Sequence, residues 1–343
     1  MPEALLTREA AEAGDVVRRQ LERNAEVTDR LAARLRQARP AFVATCARGS
    51  SDHAATYGKY LIEVTLRLPV ASLGPSLASV YGSEPDLSGA LYVAVSQSGR
   101  SPDALRLTEA ARRGGALVVA MVNDESSQLA GLADMIIPLQ AGPERSVAAT
   151  KSFLAACFAF LQLAAAWTQD PALQAAARRA PDLLDEAGAC DWAPGLLGLK
   201  DAANLFVIGR GLGLGVAQEM ALKFKETCRI HAEAFSAAEV MHGPMALAGP
   251  GFPALVLDPA DEGSESACAV ARTLADLGAA VRYAGFGGAD CPGELLPLPA
   301  NTPAVLAPLV QARAFYGGIA ALAAARGLDP DNPPHLRKVT RTI

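Results

Sequence analysis

Two stretches decide how this chain folds: F-V-A-T-C-A-R-G at residues 42–49 and F-V-I-G-R-G at residues 206–211. Each is a short apolar run that ends on a glycine. In both, the glycine leads into an alanine-containing segment with lysine and glutamate near its end. A strand that feeds a glycine turn and then a helix is the opening of a βα unit in a doubly wound sheet. Gly49 and Gly211 lie 162 positions apart, so one unit used twice is the simplest account.

Reading outward from the first stretch, Ala41–Cys46 is a strand and Arg48–Ser51 a Gly/Ser loop. His53–Leu66 has helical periodicity. Leu91–Val95 is the next strand, followed by a loop over 96–102 and a helix that ends at Gly114-Gly115. Ala116–Val122 and Met135–Leu139 are further strands, and Lys151–Trp167 is a long apolar helix suited to a core. Around the second stretch, Leu205–Ile208 is a strand, Arg210–Gly215 a Gly-rich loop and Val216–Cys228 a helix. Ala254–Leu257 and Val281–Ala284 are strands, and Ala304–Arg326 is helical. Continuous apolar strands separated by helices indicate parallel sheets buried on both faces. Residues 3–38 read as two helices with a break near Gly14. The implied order is a helical segment over 1–38, an α/β domain over 39–170, a linker over 171–195, a second α/β domain over 196–328 and a tail over 329–343.

Composition excludes several classes of function. Of the 343 residues, 51% are hydrophobic and the formal net charge is only -5, which excludes disorder. An isoelectric point near 5.5 gives no attraction to phosphate backbones, so no nucleic-acid partner is expected. No membrane span is expected: the run Phe153–Trp167 is short and holds Gln162, while Pro308, Gln311 and Arg313 interrupt 303–325. The N-terminus lacks a basic-then-apolar signal pattern. Cys46, Cys157, Cys190, Cys228, Cys268 and Cys291 are scattered without a C-x-x-C pair. They read as reduced thiols of a cytoplasmic protein, with neither a disulfide nor a metal site.

Chemistry concentrates in four places. Ser96-Gln97-Ser98-Gly99-Arg100-Ser101 follows a strand and precedes a helix; its hydroxyls, amide and backbone N–H groups would cradle a phosphate dianion, or merely cap the helix. Gly49-Ser50-Ser51 offers a second set of donors at the same sheet edge. On the helix after Gly211, Glu219, Lys223 and Glu226 share one face at three- and four-residue spacing, as a solvated ion-pair row or as buried acid–base groups. His242 precedes Gly243-Pro244 and so lies on a loop, whereas His231 reads as structural within a continuing helix. The proline-stiffened tail carries His335, Arg337 and Lys338, as a frayed end or an ordered segment. The glycines at 209, 211, 213 and 215 do not make a dinucleotide fingerprint, because the G-x-G-x-x-G frames meet Leu214 or Val216. Lysine usage is selective: of 31 basic residues only six are lysine, and Lys59, Lys151, Lys223, Lys225 and Lys338 fall inside these motif segments, with Lys200 outside.

Seven segments occur in a telling order: G-S-S at 49–51, S-Q-S-G-R-S at 96–101, A-G-P-E-R-S-V-A-A-T-K at 141–151, A-L-K-F-K-E at 221–226, H-A-E-A-F at 231–235, M-H-G-P at 241–244 and H-L-R-K-V-T at 335–340. Together they resemble the double sugar-isomerase (SIS) domains of the glutamine–fructose-6-phosphate aminotransferase family, over residues 5–343. The resemblance implies two flavodoxin-like SIS domains and a homodimer whose sites use both subunits. It implies that Gly49, Ser50, Ser51, Ser96, Gln97, Ser98, Ser101, Val147 and Ala149 bind a hexose or hexosamine 6-phosphate. It implies Glu226 as the base that moves a proton between C1 and C2, His242 as an aid to ring opening, and Lys223 and Lys338 as contacts to the open-chain sugar. No cofactor is implied.

Two departures shape the expected reaction. Arg100 and Ala149 stand where the family has an acidic residue and a serine. Met1 is followed by Pro2 rather than the nucleophilic cysteine of a glutaminase domain, so no glutamine-derived ammonia is expected from this chain. Stand-alone double-SIS chains are similar to the second type of glucosamine-6-phosphate deaminase, which releases fructose 6-phosphate and ammonia. Ammonia-dependent synthesis, a galactosamine or fructosamine 6-phosphate substrate, and a non-catalytic sugar-phosphate sensor are the alternatives.

Overall fold

The computed structural model describes residues 3–286 and 291–338; the valine and threonines of the tail at 339–342 lie outside them. Three helices open the chain, α1 (Leu5–Ala11), α2 (Ala13–Arg23) and α3 (Ala25–Gln37), where the sequence reading expected two. The break expected near Gly14 falls two residues before it, at Glu12 between α1 and α2, and a second break at Asn24 makes the third helix. Gly14 itself lies inside α2, where a Cβ would stand 2.1 Å from the Asp185 carboxylate, so it provides clearance for that side chain. The first α/β series follows: β1 (Phe42–Cys46), α4 (Ser50–Leu66), β2 (Val70–Ser72), α5 (Ser76–Ser79), β3 (Ala90–Ser96), α6 (Pro102–Arg113), β4 (Leu117–Val122), α7 (Gln128–Leu132) and β5 (Met135–Pro138). Helices α8 (Lys151–Thr168), α9 (Pro171–Gly188) and α10 (Ala193–Leu197) precede the second series. That series is β6 (Asn204–Gly209), α11 (Leu214–Cys228), β7 (His231–Ser236), β8 (Pro253–Leu257), α12 (Ser264–Asp276), β9 (Ala280–Gly285), β10 (Glu294–Pro297) and α13 (Ala307–Ala325).

The first sheet runs β2-β1-β3-β4-β5 and the second, read from its other edge, β7-β6-β8-β9-β10. Every pairing is parallel. The two sheets therefore share one strand order, that of the doubly wound flavodoxin-like arrangement expected from the sequence. In each, the winding direction reverses beside the first strand of the series, at β1/β3 and at β6/β8. Ligands of such sheets bind outside the carboxyl ends of the strands at that reversal.

The chain packs into two units. The first holds residues 15–144 and 151–179 with Arg337 and Lys338; the second holds 3–14, 145–150 and 180–336. Tyr92, Leu107, Val118 and Val122 are buried at the core of the first, and Phe206, Ile208, Val256 and Leu274 at the core of the second. Each fully buried aliphatic or aromatic side chain contributes about 1.5–3 kcal/mol. The apolar run after residue 150 forms the expected long helix, of 18 residues, and both it and residues 304–325 are long and apolar enough to cross a membrane. Both windows are instead packed within the protein, 89% and 78% buried, which is how core helices meet the same length and composition.

Two expectations are corrected. His231 does not continue a helix. It opens β7, whose alternation of exposed His231 and Glu233 with buried Ala232 is that of an edge strand. The cysteines are not all free thiols: Cys268 on α12 and Cys291 before β10 form a disulfide, with Cα atoms 5.4 Å apart. They are 23 residues apart in sequence, and the packing of α12 against β8 and β9 accompanies their approach to bonding range.

Candidate active site at the carboxyl edge of the first sheet

The reversal point of the first sheet gathers both expected phosphate-binding loops. β1 ends at Cys46, and Gly49, at φ +56°, turns the chain into α4, which begins at Ser50. β3 ends at Ser96, whose hydroxyl accepts a hydrogen bond from Gly99 N at 3.0 Å and closes the loop on itself. Gly99 has φ +61°, and a Cβ there would lie 2.2 Å from Ser127 Oγ, so both backbone and packing require glycine. Ser101 precedes α6 but makes no side-chain cap, leaving its hydroxyl free of that role. Ser50, Ser51, Gln97, Ser98 and Ser101 are all half-buried, at the mouth of the sheet edge rather than in the core. Two helix N-termini, of α4 and α6, thus flank one group of hydroxyls, an arrangement suited to a dianion.

A pair of residues that sequence reasoning missed joins these loops. Arg48 Nε and Nη2 donate to Asp103 Oδ2 at 3.2 and 3.1 Å, with the Asp103 side chain 2% exposed. The pair ties the turn after β1 to the first turn of α6. Arg100 pairs with Asp124 at 2.9 Å in the loop after β4. Hydrogen bonds from Ser126 and then from Arg100 lower the Asp124 pKa.

The 141–150 segment belongs in part to each unit and is tethered within each. In the first, Asn123 at the end of β4 accepts from Ala141 N and donates to Gly142 O, which holds this stretch at the carboxyl edge. Glu144 is buried and accepts from Ser152 N, Ser152 Oγ and Lys338 Nζ. The expected tail residue therefore reaches this edge, although neither the spacing nor the composition of the sequence could show its partner. In the second unit, Glu9 accepts from Arg145 N at 2.6 Å and Ser146 N at 3.1 Å. Val147 and Ala149 are half-buried, alternating with buried Ser146, Ala148 and Thr150.

The second unit carries the acid–base cluster. Lys223 Nζ lies 3.2 Å from Glu219 Oε1 and 2.5 Å from Glu226 Oε2, so the helical spacing does place all three together. The row is not solvated: the Lys223 and Glu219 side chains are fully buried and Glu226 is 17% exposed. Burial opposes the lysine charge, but the Glu219 and Glu226 carboxylates outweigh it and hold the ammonium protonated well above its ordinary range. Tyr316 adds a hydrogen bond to Glu219 Oε1 at 3.4 Å.

Glu226 and His242 are not brought together within one chain. β6 and β7 are parallel neighbours, so α11 must run back from the carboxyl edge of the sheet to its amino edge. Glu226 lies twelve positions beyond Leu214, about 18 Å along the helix. The chain then turns at Arg229 into β7, where His231 pairs with Asn204 at the amino end of β6. β7 returns about 16 Å to the carboxyl edge, and exposed His242 follows it in the loop between Met241 and Pro244. Among the described residues, no group of three or more His, Cys, Asp or Glu side chains is gathered to hold a metal ion.

Residues 35–166 and 198–284 match the model of the SIS domain. The chain belongs to the SIS-domain family. It is 36% identical over 316 residues to an isomerizing glutamine–fructose-6-phosphate aminotransferase from Aeropyrum pernix, which covers 84% of this chain and 49% of the relative. The chain thus spans about half the length of the curated relatives it matches. Among solved structures, a candidate phosphosugar isomerase from Silicibacter pomeroyi DSS-3 is 44% identical with a TM-score of 0.91, covering 96% of this chain and 100% of that one. A glucosamine-6-phosphate deaminase from Thermotoga maritima shares the fold at 21% identity and a TM-score of 0.75, covering 99% of this chain and 100% of that one.

Proposed function

We propose that this SIS-domain protein is an amino-sugar-phosphate deaminase/isomerase that converts glucosamine 6-phosphate and water to fructose 6-phosphate and ammonia. The observation that carries this reading is the hydroxyl-rich loop 96–101, set beside Gly49-Ser50-Ser51 at the reversal point of the first sheet. Gly49, Ser50, Ser51, Ser96, Gln97, Ser98 and Ser101 hold the phosphate, and Val147 and Ala149 line the sugar. Because the phosphate is remote from C1 and C2, its binding energy serves to position the reacting carbons.

In the proposed route, Glu226 takes the C2 proton of the open-chain amino aldehyde while O1 is protonated, giving an enolamine. Return of a proton to C1 leaves an imine at C2. Water adds there, and ammonia departs as the ketone forms. Lys223, whose side chain is fully buried between Glu219 and Glu226, acts through Glu226 by fixing its carboxylate, in place of the direct contact to the open-chain sugar that the family resemblance implied. His242 assists ring opening, and Lys338 contacts the open chain. The opposite placements of Glu226 and His242 on the second sheet favour a homodimer in which each site takes its histidine from the partner subunit.

An ammonia-release assay over glucosamine 6-phosphate, galactosamine 6-phosphate and fructosamine 6-phosphates tests the reading. Turnover of glucosamine 6-phosphate, abolished by Glu226→Gln, is the expected result. Release from another of these substrates alone moves the assignment to that sugar. Binding of all of them without turnover makes the protein a sensor.

A further inference from the structure

Glu144 has no role in the reaction just described, yet its carboxylate is wholly enclosed and fully committed. Its side chain is 0% exposed. Oε1 accepts from Ser152 N at 3.1 Å, and Oε2 accepts from Ser152 Oγ at 2.6 Å and from Lys338 Nζ at 2.7 Å. Ser152 is the second residue of the 18-residue α8, so the carboxylate also sits at the positive end of a long helix. The tether from Asn123 to Ala141 and Gly142 fixes the backbone two residues before Glu144 to the carboxyl end of β4.

We infer that Glu144 is the positioning residue that seats the C-terminal segment, holding Lys338 at the carboxyl edge of the first sheet. An exposed lysine–glutamate pair would not order a chain end, because both side chains must be immobilised for a screened attraction. Here one partner is immobile and desolvated before the tail arrives. Ser152 and the first turn of α8 have already fixed the carboxylate, so docking orders only the lysine side, whose side chain remains 24% exposed. A desolvated carboxylate left without a cationic partner is costly, and of the two adjacent cations it is Lys338 that reaches it, while Arg337 is exposed. The effect on turnover rests on the proposed role of Lys338, but the docking itself does not.

Limited trypsin digestion of the full chain separates the two. Glu144→Gln keeps an oxygen that can accept from Ser152 and removes the charge that holds Lys338. Release of the peptide after Lys338, followed by mass spectrometry, is expected to quicken at least about tenfold in this variant, the usual loss when one partner of a buried charge pair is removed. Cleavage elsewhere and the melting temperature serve as controls on folding. Glu144→Asp is expected to restore part of the protection, which a mere helix-capping role would not require. Unchanged release after Lys338 in a folded Glu144→Gln protein overturns the inference. If release quickens and kcat falls while KM for glucosamine 6-phosphate holds within about twofold, both readings stand. If release quickens and turnover is untouched, the docking stands and the catalytic role of the tail falls.

Discussion

Lys223 Nζ stands 2.5 Å from Glu226 Oε2 and 3.2 Å from Glu219 Oε1, in a side chain with no exposure to solvent. The ammonium is thus a fixed counter-charge beneath the proposed base. Lys223→Met leaves a buried carboxylate at Glu219 without its partner and is expected to destabilise the second unit by about 3–5 kcal/mol. Glu226→Gln, at a residue still 17% exposed, is expected to keep the fold and the affinity for sugar phosphate and to lose turnover. Denaturant unfolding beside substrate binding checks both. An active Glu226→Gln protein would dismiss this residue as the base.

Two buried thiols contribute to the alkaline limit of stability. Burial pushes Cys46 and Cys228 from 9.0 up to about 11. The unfolded chain therefore releases these protons from about pH 9, while the folded chain keeps them until about pH 11. Their contribution is fully present below pH 9 and is lost as pH rises from 9 to 11, by roughly 2–3 kcal/mol per thiol. The raised pKa of Lys223 acts in the same sense, above its unfolded value of 10.5. Unfolding free energies measured between pH 8 and 11 should fall, with a shallower slope in Cys46→Ala; an equal slope in that variant would remove Cys46 from the account.

What the sequence made legible follows from where each element sits. β1, β3, β4, β6 and β8 are buried on both faces, and their uninterrupted apolar runs read directly as parallel strands. β2, β7 and β10 are edges, where half of each strand meets solvent or the strand is only three or four residues long. H-A-E-A-F-S in β7 is also rich in helix formers, so tertiary pairing with β6 overrides local preference. The positions of the loops 49–51 and 96–101 at strand ends were legible because glycine and serine mark such turns locally, and the phosphate role proposed for them rests on that local backbone and its hydroxyls. Arg48–Asp103, Glu144–Lys338 and Cys268–Cys291 were not, since each joins residues 23 to 194 positions apart.

The proposed phosphate loop offers a prediction that separates geometry from donors. Ser98→Ala removes one hydroxyl and is expected to raise KM more than it lowers kcat, by about 1–2 kcal/mol of binding. Gly99→Ala must place a Cβ against Ser127 at a positive φ, which displaces the whole turn between β3 and α6. It should weaken sugar-phosphate binding well beyond the serine variant, while the second unit's melting is unaffected. Equal kinetics in the two variants and the parent would leave the turn as a plain connection between β3 and α6.

The separation of Glu226 from His242 across the second sheet gives the sharpest test of assembly. If each site takes Glu226 from one subunit and His242 from its partner, Glu226→Gln and His242→Ala homodimers are both inactive. Random exchange of the two makes half of all dimers mixed. In a mixed dimer one site carries both substitutions and the other carries neither, because the two-fold axis sorts the intact glutamate with the intact histidine. About a quarter of the parental activity should therefore return after unfolding and refolding the two variants together. A mixture that stays inactive, although mixed dimers are seen by mass spectrometry, would mean that both groups act within one chain, and the helix and strand lengths that hold them apart would have to be bridged by another arrangement of that chain.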